Sequence, residues 1–183
     1  MSTIYIAGIA MTVFGRHLER SLDDLAREAL DGALTDAGCS RAELGMAFYS
    51  GMTNGPLQGQ HSIPGQVVFS KIGIEGIPIY NIENACASGS SAFNLAVQCL
   101  KAGTTDVALA LGAEKMNIAD KLKALALFES GWDVSCAEDN FRMLIRMGEG
   151  VEPPPGSESD KPYSKFMAIY AALCRHQIGR AHV

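Results

Sequence analysis

The densest chemistry in the chain is the string NIENACASGSSA at positions 81–92, in which one thiol, Cys86, is flanked by alanine, serine and glycine. An apolar run over 77–82 precedes it and a helical stretch over 93–102, closed by Gly103, follows it. The order is strand, tight turn, helix. A thiol in such a turn meets unpaired backbone N–H groups and the positive end of the helix dipole, which stabilise an anionic, nucleophilic sulfur. The same N–H groups stabilise the oxyanion that forms when a thioester is attacked. Position alone leaves two readings open: an acyl-carrying nucleophile, or a small core thiol, since burial disfavours a thiolate as readily as a helix end favours it. The neighbours Ala85, Ala87, Ser88, Gly89, Ser90, Ser91 and Ala92 leave little side-chain volume, so a second backbone segment or an acyl chain has room to approach.

The other chemistry-bearing residues are dispersed. Cys39, Cys99, Cys136 and Cys174 form no close pair and no Cys-x-x-Cys, which excludes a disulfide framework or a zinc site and fits a reducing cytoplasm. No metal is expected. Of the four histidines, His17 follows an apolar run, His61 lies in a polar loop, His176 sits in a helical stretch and His182 is near the end. Surface or structural roles suit them best, with His61 the first exception to consider. Glu83 and Glu114 flank the Cys86 region and suit capping or ion pairing as well as catalysis; Met143 and Met147 suit an acyl tunnel or ordinary gap filling.

These residues need a scaffold, and the composition supplies one. The 183 residues are 48% hydrophobic and 19% charged, enough for a sizeable core. A net charge of -5 and scattered Lys and Arg give no face for nucleic acid. The apolar stretch over 4–14 has no preceding positive charge and is too short to span a bilayer, so no membrane partner is expected.

The pattern along the chain predicts an α/β fold with a mixed, mostly parallel sheet. Residues 3–10 read as a strand buried on both faces. Leu22, Leu25, Ala26, Ala29, Leu30, Ala33 and Leu34 recur at helical spacing, with Ser21 and Asp24 spaced as a capping box and Gly38 as the stop. A strand over 46–50, a Gly-, Asn- and Gln-rich loop over 51–59, a short helix over 63–72 and a strand over 106–111 complete the alternation. A helix over 115–128 opens an irregular excursion marked by the triple proline at 153–155. The expected organisation is therefore 1–113, an inserted loop region 114–161, a helix 162–177, and a tail 178–183 read as non-native because IGRAHV resembles a translated sequencing-library adapter.

The string NIENACASGSSA resembles the nucleophile motif of thiolases, most closely the bacterial enzymes related to the thiolase domain of sterol carrier protein. YIAGIAMTVFGRH near the start and DVALALGAEKMN at 106–117 occur in the order that family shows. The resemblance implies the first half of a layered fold of two similar halves. It also implies that Cys86 is the catalytic nucleophile, accepting an acyl group from a 3-ketoacyl-coenzyme A or running the reverse Claisen condensation. No permanently bound cofactor is implied; the coenzyme A thioester is substrate. Residues 116–161 would form a flap over the acyl and pantetheine tunnel. The implied partners are acyl-CoA and CoA, a second copy or a homotetramer built at strand 77–82, and an OB-fold protein; the implied setting is lipid or fatty acid metabolism. The family's Gly-His-Pro and Cys-x-Gly segments do not occur here, so the chain by itself is expected to be inactive in turnover. A ketoacyl synthase-like condensing enzyme and a noncatalytic acyl-CoA-binding subunit are the alternatives.

Overall fold

The first helix, α1 (Leu22–Ala37), shows why the sequence folds as it does locally. Ser21 caps it: its hydroxyl accepts the Asp24 N–H at 3.0 Å, and the Asp24 carboxylate accepts the Ser21 N–H at 2.9 Å. Gly38, at φ 61, ends it in the left-handed region, its N–H donating to the carbonyls of Leu34 and Thr35. Leu22, Ala26, Leu30 and Leu34, four residues apart, are the buried stripe.

A computed structural model describes residues 3–147, 149–150, 155–156 and 165–180, which fall into two units, 1–124 and 125–183. In the first unit, strands β1 (Met46–Ser50), β2 (Ile79–Ile82) and β3 (Ala108–Gly112) form a sheet of order β2-β1-β3. Both pairings are parallel, with Ser50 opposite Ile82 on one side and Gly112 on the other. The three C-terminal strand ends therefore lie together. The α1 stripe packs on one side of β1 with Tyr49, Phe69 and Ile72, each at most 1% exposed. On the other side Ala92 and Ala96 pack on Met46 and Phe48. Helices α2 (Asn54–Gln58), α3 (Pro64–Lys71) and α4 (Ser88–Lys101) connect the strands.

In the second unit, α6 (Ala137–Arg146) packs against α7 (Lys165–Arg180); the short α5 (Lys121–Ala126) precedes them across the boundary. The helix expected over 115–128 is confined to α5 and a 3-10 turn after it. The loop expected over 51–59 contains α2, and the excursion contains α6, whose first turn carries Glu138 and Asp139 at the positive helix end. Residues 157–164, where the last helix was expected to begin, lie outside the described residues.

One expected strand is absent. Residues 3–13 pair with no strand among the described residues and lie instead along α1, where the Ile9 N–H donates to Asp36 Oδ2 at 2.9 Å. A strand buried on both faces needs a neighbouring strand and a covering layer, and this segment has neither; Ile6 is 67% and Ile9 73% exposed. Gly8 is what lets it approach, since a Cβ there would stand 2.3 Å from the Ala33 carbonyl oxygen and 2.6 Å from the Ala37 nitrogen. Gly8→Val is accordingly expected to lift the segment off α1. Amide exchange at Ile9 should then quicken at least tenfold, as for a surface amide released from its partner, while the melt of the sheet is unchanged; unchanged exchange at Ile9 would refute the close approach.

The capping box also carries a pH dependence. The Ser21 hydroxyl and N–H hold the Asp24 carboxyl below the usual carboxylate range. Its stabilisation is thus complete above the ordinary carboxylate value and lost as pH falls through the lowered one. Asp24→Asn should melt below the native chain at pH 7 and coincide with it near pH 2; a gap that stays constant across that range would contradict the assignment.

Candidate functional site

Cys86 stands just past the C-terminal end of β2, in a 3-10 turn (Ala85–Ala87) that runs directly into α4. Its thiol is exposed, at a helix start, and nothing among the described residues hydrogen-bonds the sulfur. The thiol is thus not buried in the core here. The helix begins at Ser88, five residues before the apolar stretch that marks it in the sequence, so the small residues 88–92 form its first turn rather than a loop.

The turn is held by its own neighbours. Ala85 takes φ 45, a conformation that crowds its Cβ against the backbone. The Ala85 N–H donates to Glu83 Oε1 at 2.7 Å, and the Ala85 carbonyl accepts the Ser88 hydroxyl at 2.7 Å. Ser88, 5% exposed, in turn accepts the Asn84 N–H at 2.8 Å, and Asn84 Nδ2 donates to Ser91 Oγ at 3.0 Å. Glu83 is thus a backbone acceptor in the turn, the capping role among those expected of it. Asn84, Ser88 and Ser91 escape a search for catalytic types, and only their spacing of four and three, one helical face, marks them.

Beside the turn, a cleft of about 310 Å³ at the strand ends is lined by Tyr49, Asn54, His61, Ile63, Asn81 and Glu83 among others. Cys86 is not part of its lining. Its floor is polar and buried: Asn54 Nδ2 donates to the Tyr49 hydroxyl at 2.8 Å, which donates to the Ala113 carbonyl at 3.1 Å. Burial pushes the Tyr49 hydroxyl up to about 12. Glu114 closes the same end by accepting the Met52 N–H at 2.6 Å, a structural role. A second cavity of about 390 Å³ lies within residues 125–183, lined by Trp132, Val134 and Phe141 with Ser130 and Glu138, and has no cysteine or histidine in its lining.

His61 is brought into the cleft with Glu83. His17 bonds the Val13 carbonyl through Nε2 at 2.7 Å, a structural contact; His176 lies on α7 and His182 is outside the described residues. Burial pushes the Cys39 thiol up, and Cys136 contacts Asn140 Nδ2 at 3.3 Å. All five cysteines are free, and no cluster of three metal-ligating side chains occurs among the described residues. No helix among them is long and apolar enough to cross a membrane.

A thiol at a strained strand-to-helix turn, above parallel strand ends, is the geometry against which relatives are compared. Residues 4–143 match the family model for the thiolase N-terminal domain. Sterol carrier protein 2 of Gallus gallus is 36% identical over 115 residues, covering 62% of this chain and 20% of its own length. A benzoylsuccinyl-CoA thiolase subunit of Thauera aromatica is 39% identical over 113 residues, 61% of this chain and 28% of its own. An acetyl-CoA acetyltransferase of Methanothermobacter thermautotrophicus is 32% identical over 127 residues, 69% of this chain and 33% of its own. The chain thus spans a third or less of these three relatives. A crystal structure of a Xanthomonas campestris OleA variant, 18% identical, superposes with a TM-score of 0.50 over 86% of this chain and 39% of that one, which speaks to the fold. With its α/β layers, parallel sheet and a family match over residues 4–143, the chain belongs to the thiolase family.

Proposed function

We propose that this chain carries the nucleophile of a thiolase-type acyltransferase and that Cys86 is the residue acylated. The observation that carries the reading is an exposed thiol, without a hydrogen-bond partner among the described residues, at the start of a 14-residue helix, immediately beyond a parallel strand. In thiolytic cleavage the Cys86 sulfur attacks the 3-keto carbonyl of a 3-ketoacyl-coenzyme A, forming the S–acyl bond. The C2–C3 bond then breaks, and the departing acetyl-CoA carbanion takes up a proton. Coenzyme A thiol next attacks the acyl-cysteine, giving the shortened acyl-CoA and returning the proton-bearing thiol. The reverse order is a Claisen condensation. The helix start supplies backbone N–H groups and the positive dipole end to the oxyanion of each step.

No histidine bonds Cys86 among the described residues, so the base and the second proton carrier are proposed to come from residues outside this chain. A ketoacyl synthase-like enzyme shares this architecture, and a noncatalytic acyl-CoA-binding subunit would have no use for an exposed thiol beside a left-handed Ala85. The substrate is a coenzyme A thioester, no permanently bound cofactor is required, and the cytoplasm is the proposed compartment.

We also propose a symmetric dimer across the free edge of β2, supported by an edge strand whose Tyr80 is 48% exposed. Sedimentation at the monomer mass across micromolar concentrations would count against it.

Iodoacetamide at pH 7 tests the nucleophile, with the modified cysteine assigned by peptide mapping. Cys86 should be alkylated stoichiometrically, about tenfold faster than a free thiol of ordinary acidity, and acetyl-CoA should transfer its acetyl group to the same residue without sustained turnover. Cys86→Ser should abolish both. Labelling no faster than glutathione, or spread evenly over the five cysteines, would overturn the assignment.

A further inference from the structure

The polar groups around Cys86 form a closed set. Asn84 lies outside the helix at φ -152 and ψ 48, and Ala85 follows it at φ 45. A residue with a Cβ does not stay in that region unaided. Two non-glycine residues among those described take positive φ, Ile63 on the cleft rim and Ala85 beside the thiol.

Asn84 is gripped from three directions. Its N–H donates to Ser88 Oγ at 2.8 Å, its side-chain amide donates to Ser91 Oγ at 3.0 Å, and its carbonyl accepts the Ala87 N–H at 2.9 Å. Ser88 passes the restraint on, because the hydroxyl that accepts from Asn84 also donates to the Ala85 carbonyl at 2.7 Å. The peptide group after Ala85 is therefore tied to the first turn of α4, and the one before it to Ala87 and to Glu83, whose Oε1 accepts the Ala85 N–H at 2.7 Å. Cys86 is bracketed by these bonds and makes none of them with its sulfur.

We infer that Asn84 is a positioning residue: with Ser88 and Ser91 it forms a clip that keeps Ala85 left-handed and so fixes the direction in which Cys86 presents its sulfur. Were Ala85 to relax toward φ of about −60°, strand β2 and the helix start would swivel relative to each other at this one bond, and the sulfur would turn with the helix. The inference rests on the acyl-transfer reading for what Cys86 does, and on geometry alone for what Asn84 does.

The experiment reads three quantities on the 183-residue chain: acetylation of Cys86 by acetyl-CoA, its alkylation by iodoacetamide, and amide exchange over residues 84–101. Asn84→Ala and Ser91→Ala should each slow acetylation about tenfold and speed exchange at Ala85 and Ala87 by a similar factor, with exchange in the rest of α4 unmoved. Alkylation by the small, undemanding reagent should change less than about threefold. Ser91→Thr, which keeps the hydroxyl, should recover most of the loss. In an Ala85→Gly background, where the left-handed conformation is unstrained, Asn84→Ala should cost less than about threefold.

Native-like exchange at Ala85 and Ala87 in Asn84→Ala would overturn the clip. So would exchange that quickens along the whole of α4, because that is a helix loosened rather than a turn released. Should Asn84→Ala precipitate, Ser91→Ala supplies the same readings with the Asn84 backbone untouched. If native Cys86 takes no acetyl group while the exchange pattern holds, the acyl-transfer reading falls and the clip stands.

Discussion

Everything at the site depends on reversing the chain between β2 and α4 within five residues. The strand leaves the sheet at Ile82, and by Ser88 the backbone is helical and heading back to lay Ala92 and Ala96 on Met46 and Phe48. An alanine face packs close to a sheet, so the helix start must lie almost on top of the strand ends. The turn places one residue in the left-handed region, Ala85 at φ 45. The strain, the small side chains and the exposed thiol are three results of one geometric demand.

The sheet makes that demand useful. Because all its pairings are parallel, the ends of β1, β2 and β3 open on one side, and the loops that follow them converge there. Those loops are stiffened by a local bond, Asn54 to Tyr49, and by two that reach from the β1 segment to the end of β3, Tyr49 to the Ala113 carbonyl and the Met52 N–H to Glu114. Tyr49 is fully buried, and its hydroxyl, pushed up to about 12 by that burial, stays a neutral donor at any physiological pH. The platform beneath the Cys86 turn is thus polar and hydrogen-bonded. Two buried atoms in it, Thr53 Oγ1 and Asn54 Oδ1, have no hydrogen-bond partner among the described residues.

The parts of this arrangement that were legible in the sequence are those fixed by short-range chemistry. The capping box at Ser21 and the stop at Gly38 mark α1 because each acts within one turn. Strand β1 coincides with its apolar run because both its faces are covered. The start of α4 was misplaced because alanine, serine and glycine carry no hydrophobic period, and α6 was missed because its amphipathic pattern stands in a stretch dominated by turn formers. Residues 3–10 have the composition of a buried strand, yet burial is conferred by neighbours, and a segment whose neighbours are a single helix stays outside the sheet. The clip at Asn84 was hidden for another reason: none of its residues is a type that catalysis singles out, and their function is to hold a backbone angle.

The same division between local and distant explains which part of the chemistry resides here. A nucleophile's direction is set by the bonds of its own turn, and residues 83–91 contain every partner needed to fix it: Glu83 for one amide, Ser88 for a second amide and a carbonyl, Ser91 for a side chain. A general base has no such local solution. It must reach the sulfur from across a cleft, and a residue placed that way is specified by the packing of whole layers. His61 and Glu83 share a cleft at the strand ends whose lining excludes Cys86. Proton transfer needs contact at hydrogen-bond length, so sharing a rim does not make His61 the base. On the proposed acyl-transfer reading, the turn orients the thiol, and acid–base partners would have to reach it from beyond the residues of its own turn.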